Sequence, residues 1–263
     1  MRTAGLVFAA TMVALGVAGL LQHDFAAIWQ PVPKRWPGRE ALVWLSGLVA
    51  LVCGLGLVWP RTAAPAAGVL TVVLLAWLLV FKVRVAVGMP AVAAAWESCG
   101  ETAVVAAGAW TLFAEAAAGW RRVGFLAGDG GLRTAQVLYA IAMLAFGAAH
   151  IAYIKETASL VPGWLPAHGA WVWVTGIAYI AAGLAILAGA WARLAAALSA
   201  AQMGVFTLLV WTPAVAAPGA GADAWSEAVI SWTLTAAGGV VAASYGRTPW
   251  LALRPRSHAG AQG

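Results

Sequence analysis

The sequence predicts an all-α, polytopic membrane protein with eight transmembrane helices arranged as two parallel four-helix repeats. Composition is the first reason: 63% of the 263 residues are hydrophobic and 9% are charged. A soluble domain carries roughly 25% charged residues, so this chain has too few to cover a water-facing surface. Apolar stretches recur from end to end, and about 20 such residues cross a hydrocarbon core roughly 30 Å thick. A shift of 129 positions then lays one half on the other. Val32-Pro33 falls on Val161-Pro162, Pro37 on Pro166, Val43-Trp44 on Val172-Trp173, Gly54-Leu55 on Gly183-Leu184 and Ala95-Trp96 on Ala224-Trp225.

Each span is bounded by prolines or charges. The first, 3–22, follows Arg2 and stops before His23-Asp24. The second, 41–59, lies between Pro37 and Pro60. The third, 64–87, has Pro65 in its first turn, where a missing N–H is harmless, and ends before Gly88-Met89-Pro90. The fourth covers 92–118 and ends before Arg121 and Arg122; the fifth, 134–154, follows Arg133. The sixth, 170–190, comes after Pro162 and Pro166; the seventh, 192–212, closes at Pro213; the eighth, 225–245, precedes Pro249. The first span could pass for a signal peptide, but its counterpart Thr134–Ile154 sits mid-chain, so it is read as a retained membrane helix. This gives a first four-helix unit at 1–120, a cytoplasmic linker at 121–133, a second unit at 134–248 and a cytoplasmic tail at 249–263.

Four helices per copy give both copies the same orientation, related by an axis along the membrane normal. With the N-terminus inside, nine of the 15 basic residues are cytoplasmic: Arg2, Arg61, Arg121, Arg122, Arg133, Arg193, Arg247, Arg254 and Arg256. The topology is therefore N-in and C-in. Basic residues placed in this way read as topology signals, and nucleic acid is not an expected partner; the lipid bilayer is. Cys53 and Cys99 fall in apolar runs without a C-x-x-C, so they read as small buried residues. No metal-ligand set is expected and no catalytic residue is assigned. G-x-G-x-x-G, H-E-x-x-H and G-x-S-x-G are all absent.

Two groups of polar residues are candidates for ligand binding. Lys82 and Arg84 precede Pro90 by eight and six residues, and Glu97 and Glu101 follow it by seven and eleven. At about 1.5 Å per helical residue, Lys82 and Glu97 stand at similar depth on the two arms of a hairpin. Glu97 and Glu101 share a helix face by i, i+4 spacing. Intramembrane charges turn inward and find partners, and Lys82 or Arg84 is the expected partner of Glu101. This cluster either lines a pocket on the outer side or forms a structural salt bridge. The register places Trp211, Pro213, Ser226 and Ile230 at the same points of the second copy, so a charged site belongs to the first half. The other group is His23-Asp24 with His150, at the outer ends of the first helix of each copy. An imidazole there suits a quinone carbonyl, a haem or a metal, or merely tolerates water.

Of the 16 tryptophans, Trp29, Trp36, Trp96, Trp164, Trp171, Trp225 and Trp250 read as an interfacial belt. Trp44, Trp77, Trp110 and Trp173 read as deeper packing residues.

The stretch His150…Leu160-Val-Pro-Gly-Trp-Leu-Pro166…Trp171-Val-Trp-Val-Thr-Gly176…Ala182-Gly-Leu184 resembles the DoxX-like family of bacterial membrane proteins. So does Asp24-Phe25…Trp29-Gln-Pro-Val-Pro33…Pro37-Gly-Arg-Glu40 with Trp96…Glu101. The resemblance implies two fused four-helix units in the bacterial cytoplasmic (inner) membrane. It further implies a link to redox metabolism with other membrane or redox proteins as partners, and a quinone as candidate cofactor or ligand. The leading expectation is an accessory subunit or small-molecule (quinone-like) binding protein, with any oxidoreductase role exercised within a complex. A small-solute transporter is the alternative, although no proline or glycine break interrupts the middle of paired helices.

Overall fold

A computed structural model of the chain describes residues 2–253. Arg254, Arg256 and the end of the expected 249–263 tail lie outside the described residues. Within the described residues the chain is all-α, with nine helices and no strand. They are α1 Arg2–Gln22, α2 Arg39–Gly56, α3 Pro60–Gly88, α4 Ala93–Ala116, α5 Gly128–Ala152, the short α6 Ile154–Ser159, α7 His168–Ala188, α8 Ala192–Ala216 and α9 Ala222–Ser244. The eight long helices overlie the eight expected spans. Six of them, together with α5 extended back to Arg122, give seven stretches long and apolar enough to cross a membrane, so the chain is a multi-pass membrane protein by composition.

The eighth long helix, α4, is kept below that apolarity by Glu97, Glu101 and Glu115. It is nonetheless the centre of the bundle. It packs against α3, α5 and α9, and an unbroken run from Thr102 to Ala109 is buried. A helix surrounded by others can carry carboxylates because they face protein rather than lipid.

Two pairs of helices meet through glycines. A Cβ on Gly16 of α1 would lie 2.4 Å from the Leu51 backbone nitrogen of α2, and one on Gly147 of α5 would lie 2.6 Å from the Gly176 carbonyl oxygen of α7. Only glycine lets backbones come this close. At the centre, Gly108 of α4 rests on Ala237 of α9, where a Cβ would be 3.0 Å from the alanine methyl. These two positions are 129 apart, as are the starts of α2 and α7 and the starts of α4 and α9.

Both α3 and α8 contain a π-helical turn, Leu78–Val83 and Thr207–Trp211, beginning 129 residues apart. Such a turn inserts an extra residue and re-aims the side chains beyond it. Neither turn contains proline or glycine, which is why the expectation of uninterrupted helices missed them.

The structure differs from expectation in several places. Helix α5 starts at Gly128, inside the expected linker. Its Arg133 donates to the Ile186 and Leu187 carbonyls, at 2.8 and 2.6 Å, satisfying acceptors that the end of α7 leaves open. Trp29, expected at an interface, is fully buried, whereas Trp44 and Trp173, expected deep, stand outward and exposed. Cys53 and Cys99 are buried and free.

Candidate functional site: an acidic chamber with aromatic walls

The loops 23–38, 89–92, 153–167 and 217–221 all lie at one end of the bundle, here called the long-loop end. A chamber of about 920 Å³ opens there, among α5, α6, α7, α8 and α9, with Glu97 and Glu101 reaching it from α4. Its floor and walls hold the aromatic side chains of Phe146, Trp164, Trp171, Tyr179, Phe206 and Trp211. Thr175, Gln202 and Ser231 add uncharged polar groups, and Glu156 and Glu227 bring the carboxylates to four. No lysine or arginine is among the described lining residues.

The expected first cluster therefore divides. Glu97 and Glu101 face the chamber, as their shared helix face requires. Lys82 does not line it. Only 2% exposed, it is held by the π-helical turn and donates to the Gln30 carbonyl and, at 2.8 Å, to the Ser98 hydroxyl. Arg84, one residue beyond that turn, points outward and is exposed. The expected ion pair with Glu101 is absent. Among the described residues the one ion pair is Arg39–Asp24, at 2.7 Å.

The two histidines also part company. His23 is exposed in the loop after α1, edge-on to Trp44 with ring centroids 5.5 Å apart. Its neighbour Asp24 accepts from the Phe25 N–H at 2.8 Å and from Arg39. Partial burial pushes the Asp24 carboxyl up, but the Phe25 N–H, Arg39 and Lys34 outweigh it, and the group is held below the usual carboxylate range.

His150, by contrast, lines the chamber. Its ring stacks on Phe206, with centroids 5.8 Å apart and planes at 18°, and meets Tyr179 edge-on at 5.4 Å. Its Nδ1 lies 2.9 Å from the Phe146 carbonyl oxygen. In the neutral ring Nδ1 is the donor to that oxygen, so Nε2 carries the free lone pair. A backbone carbonyl thus orients the His150 ring.

Glu227 is a chamber-lining residue that the 129 register concealed. The register pairs it with Ser98, one position away from the compared glutamates. A carboxylate at the start of an otherwise apolar span was the available signal.

Most of the chamber belongs to the second half of the chain. The expected outer-half site of the first half supplies two carboxylates from across the central helix contact. Among the described residues, no cluster of three or more His, Cys, Asp or Glu side chains is arranged to hold a metal ion. No family model matches the chain, and neither a curated protein nor a solved structure matches it.

Proposed function

We propose that this chain is a DoxX-like integral membrane protein that binds a small, ring-bearing amphiphile in the long-loop chamber. In that reading it is an accessory component of redox metabolism in the bacterial cytoplasmic membrane, oriented N-in and C-in. The chamber is the observation that carries the binding reading. At about 920 Å³ it matches the size of small-molecule sites, mostly apolar with a few convergent polar groups. The Phe206–His150–Tyr179 wall offers a planar surface, and Nε2 of His150 offers a polar contact. A quinone-like ring is the neutral member of this ligand class and the one the family resemblance implies.

The parallel-repeat reading is supported by the recurrence of helix starts and π-helical turns at 129 residues. The Gly108–Ala237 contact supports it further, because residues related by a two-fold axis touch each other only at that axis. The test is purification in mild detergent, followed by mass spectrometry of co-purifying lipids, quinones and proteins. A bound ring-bearing amphiphile together with a membrane redox protein is the expected result. Recovery of neither overturns the accessory reading.

A second reading, transport of a small solute, draws on the paired π-helical turns. Matching discontinuities in the two halves of a transporter mark the elements that move around a central site. Gradient-driven uptake of a chamber ligand into proteoliposomes supports transport. A ligand that binds without crossing the vesicle wall refutes it.

A further inference from the structure

The charge distribution of the chamber is opposite to that of the chain. The chain has 15 lysines and arginines against 9 acidic residues and a formal charge of +6, yet four of those nine acidic residues line this one space and, among the described residues, no lysine or arginine joins them. We infer that the chamber selects organic cations over anionic molecules of similar size, a conclusion that rests on its being a small-molecule site.

Glu101 carries the argument. It is partly buried at the chamber wall, and no described side chain or backbone N–H hydrogen-bonds to its carboxylate. Glu97 is likewise without an ion pair, and Glu227 reaches the same space from α9. Lys82 is the cation whose charge reaches Glu101, but its ammonium is already engaged by the Gln30 carbonyl and the Ser98 hydroxyl. Carboxylates drawn into a bundle are costly unless a proton or a cation meets them. Among the described residues no lysine or arginine pairs with Glu97, Glu101 or Glu227, and a cationic ligand can supply the charge.

The walls favour the same class. Trp171, Tyr179, Phe206 and Trp211 present ring surfaces, and a cation over an aromatic face is attracted by the ring quadrupole. Carboxylates with aromatic rings and no competing ammonium or guanidinium suit a quaternary or protonated amine, or a phosphonium, on an apolar body. A phosphate or carboxylate headgroup would meet four carboxyl groups and no lysine or arginine among the described lining residues.

The test uses the full-length protein in detergent and three probes. Tetraphenylphosphonium is the cation, tetraphenylborate the anion of matching size, and decylubiquinone the neutral ring. Binding is read as quenching of the wall tryptophans and confirmed by equilibrium dialysis. The expected result is saturable binding of the phosphonium at least about tenfold tighter than the borate. A Glu97→Gln, Glu101→Gln, Glu227→Gln variant is expected to lose most of the phosphonium affinity and a far smaller part of its affinity for decylubiquinone. Equal affinity for phosphonium and borate, or phosphonium binding that survives in the triple variant, overturns cation selection and leaves the chamber as a binding site. Failure of all three probes to bind overturns the chamber reading as well. Should the triple variant not fold, the wild-type ratio of phosphonium to borate still decides, and Glu101→Gln alone tests the partly buried carboxylate.

Discussion

The long-loop ends of the two halves are built from corresponding helices, yet one is sealed and the other open. In the first half the loop after α1 turns inward. Gly19 lets it do so: a Cβ there would lie 3.3 Å from the Asp24 carbonyl oxygen. Trp29 then enters the bundle, fully buried, with its ring 5.0 Å from that of Trp77. The Trp77 indole donates to the Trp29 carbonyl at 2.9 Å, Phe81 packs on Trp77 at 4.5 Å, and Lys82 ties down Gln30.

In the second half the 129 register puts Phe206 where Trp77 stands, Val210 where Phe81 stands and Trp211 where Lys82 stands. The close contacts of α1 with α2 and of α5 with α7 recur at a slightly longer offset, since Gly16 and Gly147 are 131 apart. That offset puts His150 where Gly19 stands. Smaller residues below, an imidazole beside them and a loop held out as α6 leave the chamber empty of protein. The first half thus carries a plug at its long-loop end, and the second half an open chamber.

The largest way to break this contrast is to remove the plug. Trp29→Ala should lower stability by about 3–5 kcal/mol, the usual cost of deleting a buried aromatic ring, measured by denaturation in detergent micelles. If the first half is a latent site, the same variant gains a second binding event for small apolar probes. Lys82→Met comes next. It strands the Gln30 carbonyl and the Ser98 hydroxyl, at a cost of roughly 1–3 kcal/mol, and chamber affinity for a neutral ring should not change. An affinity loss at unchanged stability would instead place Lys82 in the site.

Val210→Phe sharpens the comparison from the other side by giving the second half the ring of the first. Chamber ligands should weaken about tenfold, equivalent to roughly 1.4 kcal/mol, with little change in melting temperature. The smallest effect belongs to Asp24→Asn, which removes the half-exposed Arg39 pair worth roughly 0.2–1 kcal/mol. Because the folded carboxyl titrates below its ordinary range, this increment is fully present above the unfolded pKa of about 3.9. It fades as pH falls through the lower folded value. A pH series of melting curves, wild type against variant, should converge at acid pH.

Much of the fold was legible because periodic signals are written in many residues at once. Eight apolar runs and their prolines located eight long helices to within a few residues, apart from the early start of α5. The i, i+4 spacing correctly put Glu97 and Glu101 on one face. What the sequence could not convey was azimuth. Depth along a helix follows from counting, and by depth Lys82 belongs beside Glu97. The π-helical turn aims it toward Gln30 instead, and no residue type marks such a turn. The same blindness mistook Trp29 for an interfacial residue, since a loop folding inward and a loop lying on a membrane can share a composition. Glu227 was missed because the register compared single positions, whereas a chamber wall tolerates a neighbour one step along the helix.

Helix α6 is six residues long and buries none of them, though it forms part of the mouth of the chamber. Segments with few buried contacts open at a small fraction of the global unfolding free energy. Amide hydrogens at 154–159 should therefore exchange far sooner than those of α5 and α7 on either side, and sooner still in the empty protein than in the loaded one. For a ligand held as proposed, the deep walls would choose the molecule and six residues at the rim would set how long it stays, so residence time and selectivity could be tuned separately.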